Sequence, residues 1–154
     1  MQRKKTIFDR IGALIPGYAG YAERDSRRIC DKALRSELAM RMNNLEEKLT
    51  KRMEKALAQK QFGEMKMLEK LRKQLNTLGD KTRYATYGNS SFFADTQIAQ
   101  DDLQQLYQLD LDLSDLLDSI ENCTHSENWT DLEIELSGYD VKLTERNGFL
   151  SSKK

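Results

Sequence analysis

In 154 residues there is one proline, Pro16, so nothing after it obliges a helix to end. There is one histidine, His125, and only two cysteines, Cys30 and Cys123. A disulfide framework is therefore excluded, and a tetrahedral metal site lacks ligands. No run of about 18 apolar residues occurs, which excludes a membrane-spanning helix. The N-terminus is basic at Arg3, Lys4 and Lys5, but the apolar stretch behind it is short and carries Asp9 and Arg10. That is not the form of a secretory signal, and a cytoplasmic protein is expected.

What is present is charge and leucine. Charged residues make up 32% of the chain and hydrophobic ones 38%, a balance that suits long helices burying one stripe each. The net charge of zero conceals two blocks. Residues 1–83 hold 21 Lys and Arg against 11 Asp and Glu, and residues 84–154 hold 4 against 14. A basic half and an acidic half attract, within one chain or head to tail between two copies.

Hydrophobic periodicity predicts an all-α fold: an antiparallel bundle of about four long helices, made of two helical hairpins, with a short N-terminal amphipathic helix. One domain is expected over residues 1–154. In the short helix, Ile7, Phe8, Ile11, Leu14 and Ile15 recur at helical spacing before Pro16-Gly17, and residues 1–21 form this helix and its connector. Residues 22–86 form a basic hairpin. Leu34, Leu38, Met42, Leu45, Leu49, Met53 and Leu57 make the seam of its first helix, over 22–60. Met65, Leu68, Leu71, Leu75 and Leu78 make that of the second, over 64–86. A turn near Gly63 is favoured, with one unbroken helix as the alternative. Residues 87–96 read as a loop carrying Phe92 and Phe93.

Residues 97–146 form an acidic hairpin. Its first helix spans 97–121, with the alternating Leu109–Leu113 piece assigned to helix. Asn122–Asn128 is the expected turn, and the last helix covers 129–145 with Trp129, Leu132, Leu136, Tyr139 and Leu143. Residues 147–154 are expected to fray.

Catalytic and cofactor constellations are missing. No glycine-rich phosphate loop, Glu-x-x-His pair or calcium loop occurs, so no cofactor and no metal are expected. Cys123-Thr-His125 is half a metal site with no second half. Asp110, Asp112, Asp115 and Asp118 read as the acidic outer face of a helix. Arg24, Arg28, Lys32 and Arg35 share one helix face and form a candidate phosphate-binding patch. Interleaved Glu23, Asp25 and Asp31 argue against nucleic acid.

Two stretches carry a family resemblance. One is Leu14-Ile-Pro-Gly-Tyr-Ala-Gly-Tyr21 followed by Glu-Arg-Asp-Ser-Arg-Arg. The other is Gly79-Asp-Lys-Thr-Arg-Tyr-Ala-Thr-Tyr-Gly88 followed by Phe92-Phe93. Together they resemble a group of small bacterial helical proteins with a Pro-Gly-Tyr connector and an Arg-x-Ala-x-Tyr-Gly loop. The resemblance covers roughly residues 10–120 and implies a helical fold without an established activity. It gives Tyr18, Tyr21, Arg83, Tyr84, Tyr87 and Gly88 structural roles, with tyrosine hydroxyls bonding loop backbone. Asn89 stands where such proteins often show a second aromatic. The N-terminal helix plus long hairpin is also similar to membrane-remodelling hairpins of the phage-shock type, by architecture alone.

The expected function is non-enzymatic: an adaptor or scaffold that binds other proteins, itself included, through helix faces. The partner-binding candidates are Phe8, Ile11, Tyr87, Phe92 and Phe93. The alternative is a peripheral membrane or phosphate-binding module using Lys4, Lys5, Arg10, Arg24 and Arg28. No small-molecule substrate is indicated.

Overall fold

The computed structural model describes residues 6–85 and 98–152. Among them the backbone forms five helices and no strand: α1 (Ile7–Leu14), α2 (Arg24–Ala58), α3 (Phe62–Arg83), α4 (Gln100–His125) and α5 (Trp129–Ser152). The all-α expectation holds. The expected loop over 87–96 lies outside the described residues.

Local chemistry sets the helix ends. Thr6 opens α1 with a capping box: its hydroxyl accepts from the Asp9 amide, and its own amide donates to the Asp9 carboxylate. Pro16 follows the last turn, where it cannot continue the helix. The turn between α2 and α3 falls at Gln59–Gln61, with Lys60 left-handed at φ 58°. The chain is thus a hairpin here, but its turn precedes Gly63, which lies inside α3. An exposed lysine accepts the left-handed conformation at a cost of about 1–2 kcal/mol. Between α4 and α5 the turn is shorter than the expected 122–128. Thr124 stays buried on the helix stripe, with its hydroxyl donating to the Ile120 carbonyl, and Glu127 takes φ 55°. Asn128 then caps α5 by accepting from the Asp131 amide. The tail expected to fray from residue 147 remains helical to Ser152, because Phe149 and Leu150 are buried.

The helices pack in pairs. α2 lies along α3, and α4 lies along α5; α3 meets α5, α2 meets α4, and α1 rests on α4. Arg41 on α2 reaches Asp118 and Glu121 on α4, and Arg52 reaches Glu127. Lys70 and Lys81 on α3 reach Glu133 and Asp140 on α5. Residue numbers therefore climb together along each pair that joins the hairpins, and the two hairpin turns lie at one end. α2 and α5 sit on diagonal corners. These bridges bring the basic half onto the acidic half within one chain. Each exposed pair contributes at most about 1 kcal/mol.

The core runs the length of this arrangement through Leu34, Leu38, Leu45, Leu71, Leu117 and Leu136, all nearly inaccessible. The α2 seam ends early: Ala56 is buried, whereas Leu57 is exposed. The second hairpin reaches this end of α2 through the Arg52–Glu127 pair.

Candidate functional site

The densest polar chemistry lies inside the molecule, at the end opposite the hairpin turns. Asp110 on α4 accepts from the Tyr18 hydroxyl (2.7 Å), the Tyr21 hydroxyl (2.6 Å) and Arg146 Nε (2.6 Å). Arg146 Nη2 donates to Asp31 Oδ1 at 2.7 Å and to the Tyr21 hydroxyl at 3.1 Å. Asp31 accepts from Arg35 Nε at 2.8 Å, and Arg35 Nη1 donates on to the Arg83 carbonyl. The result is a chain of alternating charge, Asp110–Arg146–Asp31–Arg35, joining α4, α5, α2 and the end of α3. Arg27, also buried, donates to the Tyr21 carbonyl and holds the connector onto α2. Among the described residues only Arg146 Nη1 in this chain lacks a partner.

Burial sets the electrostatics. It pushes the Asp110 carboxyl above the usual carboxylate range, with Arg146 and the two tyrosines pulling the other way. Burial alone would lower the Arg146 guanidinium, but Asp110, Tyr21 and Asp31 more than offset it and raise it well above normal. Tyr18 and Tyr21 are raised, first by burial and then by Asp110. Burial pushes the Cys30 thiol up to about 12. A neutral, enclosed thiol and two neutral phenols are poor nucleophiles. The cluster is suited to holding elements together rather than to meeting a ligand.

Phe8 and Ile11 are part of the same end. Ile11 is fully buried, and Phe8 packs on Tyr107 and Tyr18 at ring-centroid distances of 5.6 and 6.1 Å. The apolar face of α1 is thus covered by its own chain at Phe8 and Ile11, while Leu14 stays 51% exposed. Tyr18 and Tyr21 use their hydroxyls on Asp110 rather than on loop backbone. Arg83 contributes its carbonyl, and its side chain is exposed. The basic face divides: Arg24, Arg28 and Lys32 are exposed, while Arg35 is buried against Asp31. Of the acidic face, Asp110 is fully buried, and Asp115 and Asp118 are on the surface. Tyr87, Phe92, Phe93, Lys4 and Lys5 lie outside the described residues.

The sequence did hold a signal for the buried cluster. Asp31 and Arg27 continue the α2 seam backward from Leu34. Asp110 stands on the Leu103–Leu106–Leu113–Leu117 stripe, and Arg146 follows Leu143 by three residues. Charged side chains of both signs on apolar seams mark mutual burial.

Large apolar side chains also face outward: Ile29 (64% exposed) and Met40 (49%) on α2, Ile134 (63%) and Val141 (68%) on α5, and Leu57 and Phe62 at the first hairpin turn. Surface depressions follow helix grooves. One of about 250 Å³ lies between α3 and α5 over Leu78 and Leu136, and one of about 540 Å³ is lined by Met53, Phe62 and Met65. Lys66, Glu69, Lys70 and Lys73 rim the second, and Lys73 and Asp140 the first. No protein-family model matches the chain, and no curated protein or solved structure is significantly similar to it. Among the described residues no helix is long and apolar enough to cross a membrane, and no group of His, Cys, Asp or Glu is placed to hold a metal ion.

Proposed function

We propose that this protein is a non-enzymatic helical adaptor or scaffold, a four-helix bundle of two hairpins that binds other proteins through its outer helix faces. The N-terminal amphipathic helix acts in this reading as a clip on α4, closing the bundle end. The observation that carries the proposal is the sorting of side chains. The densest polar cluster, Asp110, Arg146, Asp31 and Arg35 with the Tyr18 and Tyr21 hydroxyls, is buried and internally paired, whereas Ile29, Met40, Ile134 and Val141 are offered to solvent on helix faces away from the core. Apolar side chains arranged on one exposed face are the usual mark of a protein partner. A cytoplasmic setting suits two free thiols, Cys30 and Cys123.

Photo-cross-linking residues placed at Ile134 and Val141 in living cells test the reading. Protein adducts are expected at both positions, and their absence contradicts it. A second reading, binding to an anionic surface, draws on Arg24, Arg28 and Lys32, which have no ion-pair partner among the described residues. Binding to anionic vesicles that fades with added salt favours it over the first.

A further inference from the structure

Lys48, Lys51, Arg52 and Lys55 step by 3, 1 and 3 along α2, which places them on one face of the helix. With the turn between α4 and α5 they enclose a pocket of about 330 Å³. His125, Glu127 and Trp129 form its wall on the turn side. Arg52 Nε donates to Glu127 at 2.9 Å, and its Nη2 pairs with Glu64 at 2.6 Å. Its Nη1 is enclosed and lacks a hydrogen-bond partner among the described residues. The Trp129 indole is half-buried, and its Nε1 donates to Glu64 at 3.3 Å.

Elsewhere along the joint between the hairpins, cations meet carboxylates. Arg41 meets Asp118 and Glu121, Lys70 meets Glu133, and Lys81 meets Asp140. At the turn this matching stops. Lys48, Lys51 and Lys55 are exposed and have no ion pair among the described residues. Glu127 is the one carboxylate that lines the pocket. Asp131 is bound to Asn128. Glu47 and Glu54 stand about 100° round the helix from Lys48 and Lys55, and they line a neighbouring groove that Lys51 shares. Four cations against Glu127 and Glu64 leave the pocket at 4 − 2 = +2.

We infer that this pocket binds a phosphate monoester carried on a planar ring, of which a mononucleotide is the simplest example. Such a phosphate carries a charge of about −1.5 to −2 at pH 7, which matches the surplus. The three lysines supply ammonium donors to its oxygens. Trp129 and His125 supply flat surfaces on which a base stacks. The volume suits one small ligand. Bound there, the ligand bridges α2 to the α4–α5 turn, at the end of the joint where lysines lack carboxylates. The site lies apart from Ile29, Met40, Ile134 and Val141, and it does not depend on the adaptor reading.

Trp129 is the only tryptophan in the chain, so its fluorescence reads this site directly. The full chain is titrated with adenosine monophosphate, with adenosine and with inorganic phosphate. Adenosine monophosphate gives a saturable change that weakens with added salt. Inorganic phosphate binds more weakly, and adenosine at the same concentrations gives no change. Lys48→Gln with Lys55→Gln weakens binding by about tenfold or more. The melting temperature without ligand is unchanged, because both side chains are exposed and unpaired. Arg28→Gln with Lys32→Gln removes the same charge near the other end of α2 and leaves the affinity as it was. No response to adenosine monophosphate or to phosphate overturns the site. Adenosine binding as well as its monophosphate overturns the role of the lysines, and inorganic phosphate binding as tightly overturns the planar ring. Equal losses in the two double variants overturn the pocket in favour of diffuse attraction to a basic helix.

Discussion

Asp110 ties three elements together, because its carboxylate on α4 receives the connector through Tyr18 and Tyr21 and α5 through Arg146. Replacing one partner of a buried charge pair leaves the other desolvated and unpaired, at about 3–5 kcal/mol. Asp110→Asn is expected to cost an amount in that range in urea unfolding. Arg146→Met is expected to cost at least as much, because it leaves the buried Asp110 carboxylate with no cation, whereas Asp110→Asn leaves Arg146 paired with Asp31. The double variant is expected to lose less than the two singles added together, and strict additivity contradicts a direct Asp110–Arg146 coupling.

The neighbouring neutral groups make an alkaline prediction. Cys30 moves from 9.0 to about 12 and Tyr139 from 10.0 to about 12 on folding, chiefly by burial in both cases, and Tyr18 and Tyr21 are raised too. Above the ordinary values the unfolded chain loses these protons while the folded chain keeps them. The unfolded state then binds fewer protons, and stability falls as pH rises. The contribution is complete below about pH 9 and is lost toward pH 12, at about 1.4 kcal/mol per pH unit for each titrating group. Chemical unfolding at a series of pH values measures it, and a stability that stays level across that window contradicts it.

At the scale of elements, the connector between α1 and α2 is the tightest joint. Gly20 has φ 96°, and a Cβ there would meet Phe8 and the Tyr107 hydroxyl at 2.9 Å. Gly20→Ala combines backbone strain with a clash and is expected to cost more than about 1 kcal/mol. Gly63 lies in α3 with open space around it, so Gly63→Ala is expected to stabilise by about 0.5–1 kcal/mol. Opposite signs in thermal melts support the joint; equal effects contradict it.

The helices themselves were legible in the sequence, because Leu34 through Leu49, Leu68 through Leu78 and Leu132 through Leu143 hold a spacing no other element uses. The turn before Gly63 was less so: Lys60 and Glu127 hold left-handed positions that propensity assigns to glycine or asparagine. The last turns of α5 were missed because Arg146 interrupts the apolar spacing. In the fold that arginine is a core residue with two carboxylate partners. Its burial depends on Asp31 and Asp110, which lie 115 and 36 positions away along the chain. Local periodicity carries no information about such distant partners. Asp110, read as one of a row of surface aspartates, was hidden for the same reason.

At the scale of the whole molecule, two kinds of side chain are sorted into two places. Opposite charges and hydroxyls close one end of the packed helices from within, and the exposed apolar side chains Ile29, Met40, Ile134 and Val141 lie on outer faces of α2 and α5. The basic hairpin meets the acidic hairpin through Arg41, Arg52, Lys70 and Lys81, yet Arg24, Arg28 and Lys32 keep their charge toward solvent. Protein contact is therefore expected on these outer faces, with the enclosed cluster serving stability. Photo-cross-linking in cells, with the reactive side chain at Val141 compared with one at exposed Gln104 on α4, is the most direct measurement. Protein adducts at 141 that exceed those at 104 and disappear in an Ile134→Lys background are the expected result. Equal yields at the two positions, or none at either, contradict a working surface on α5.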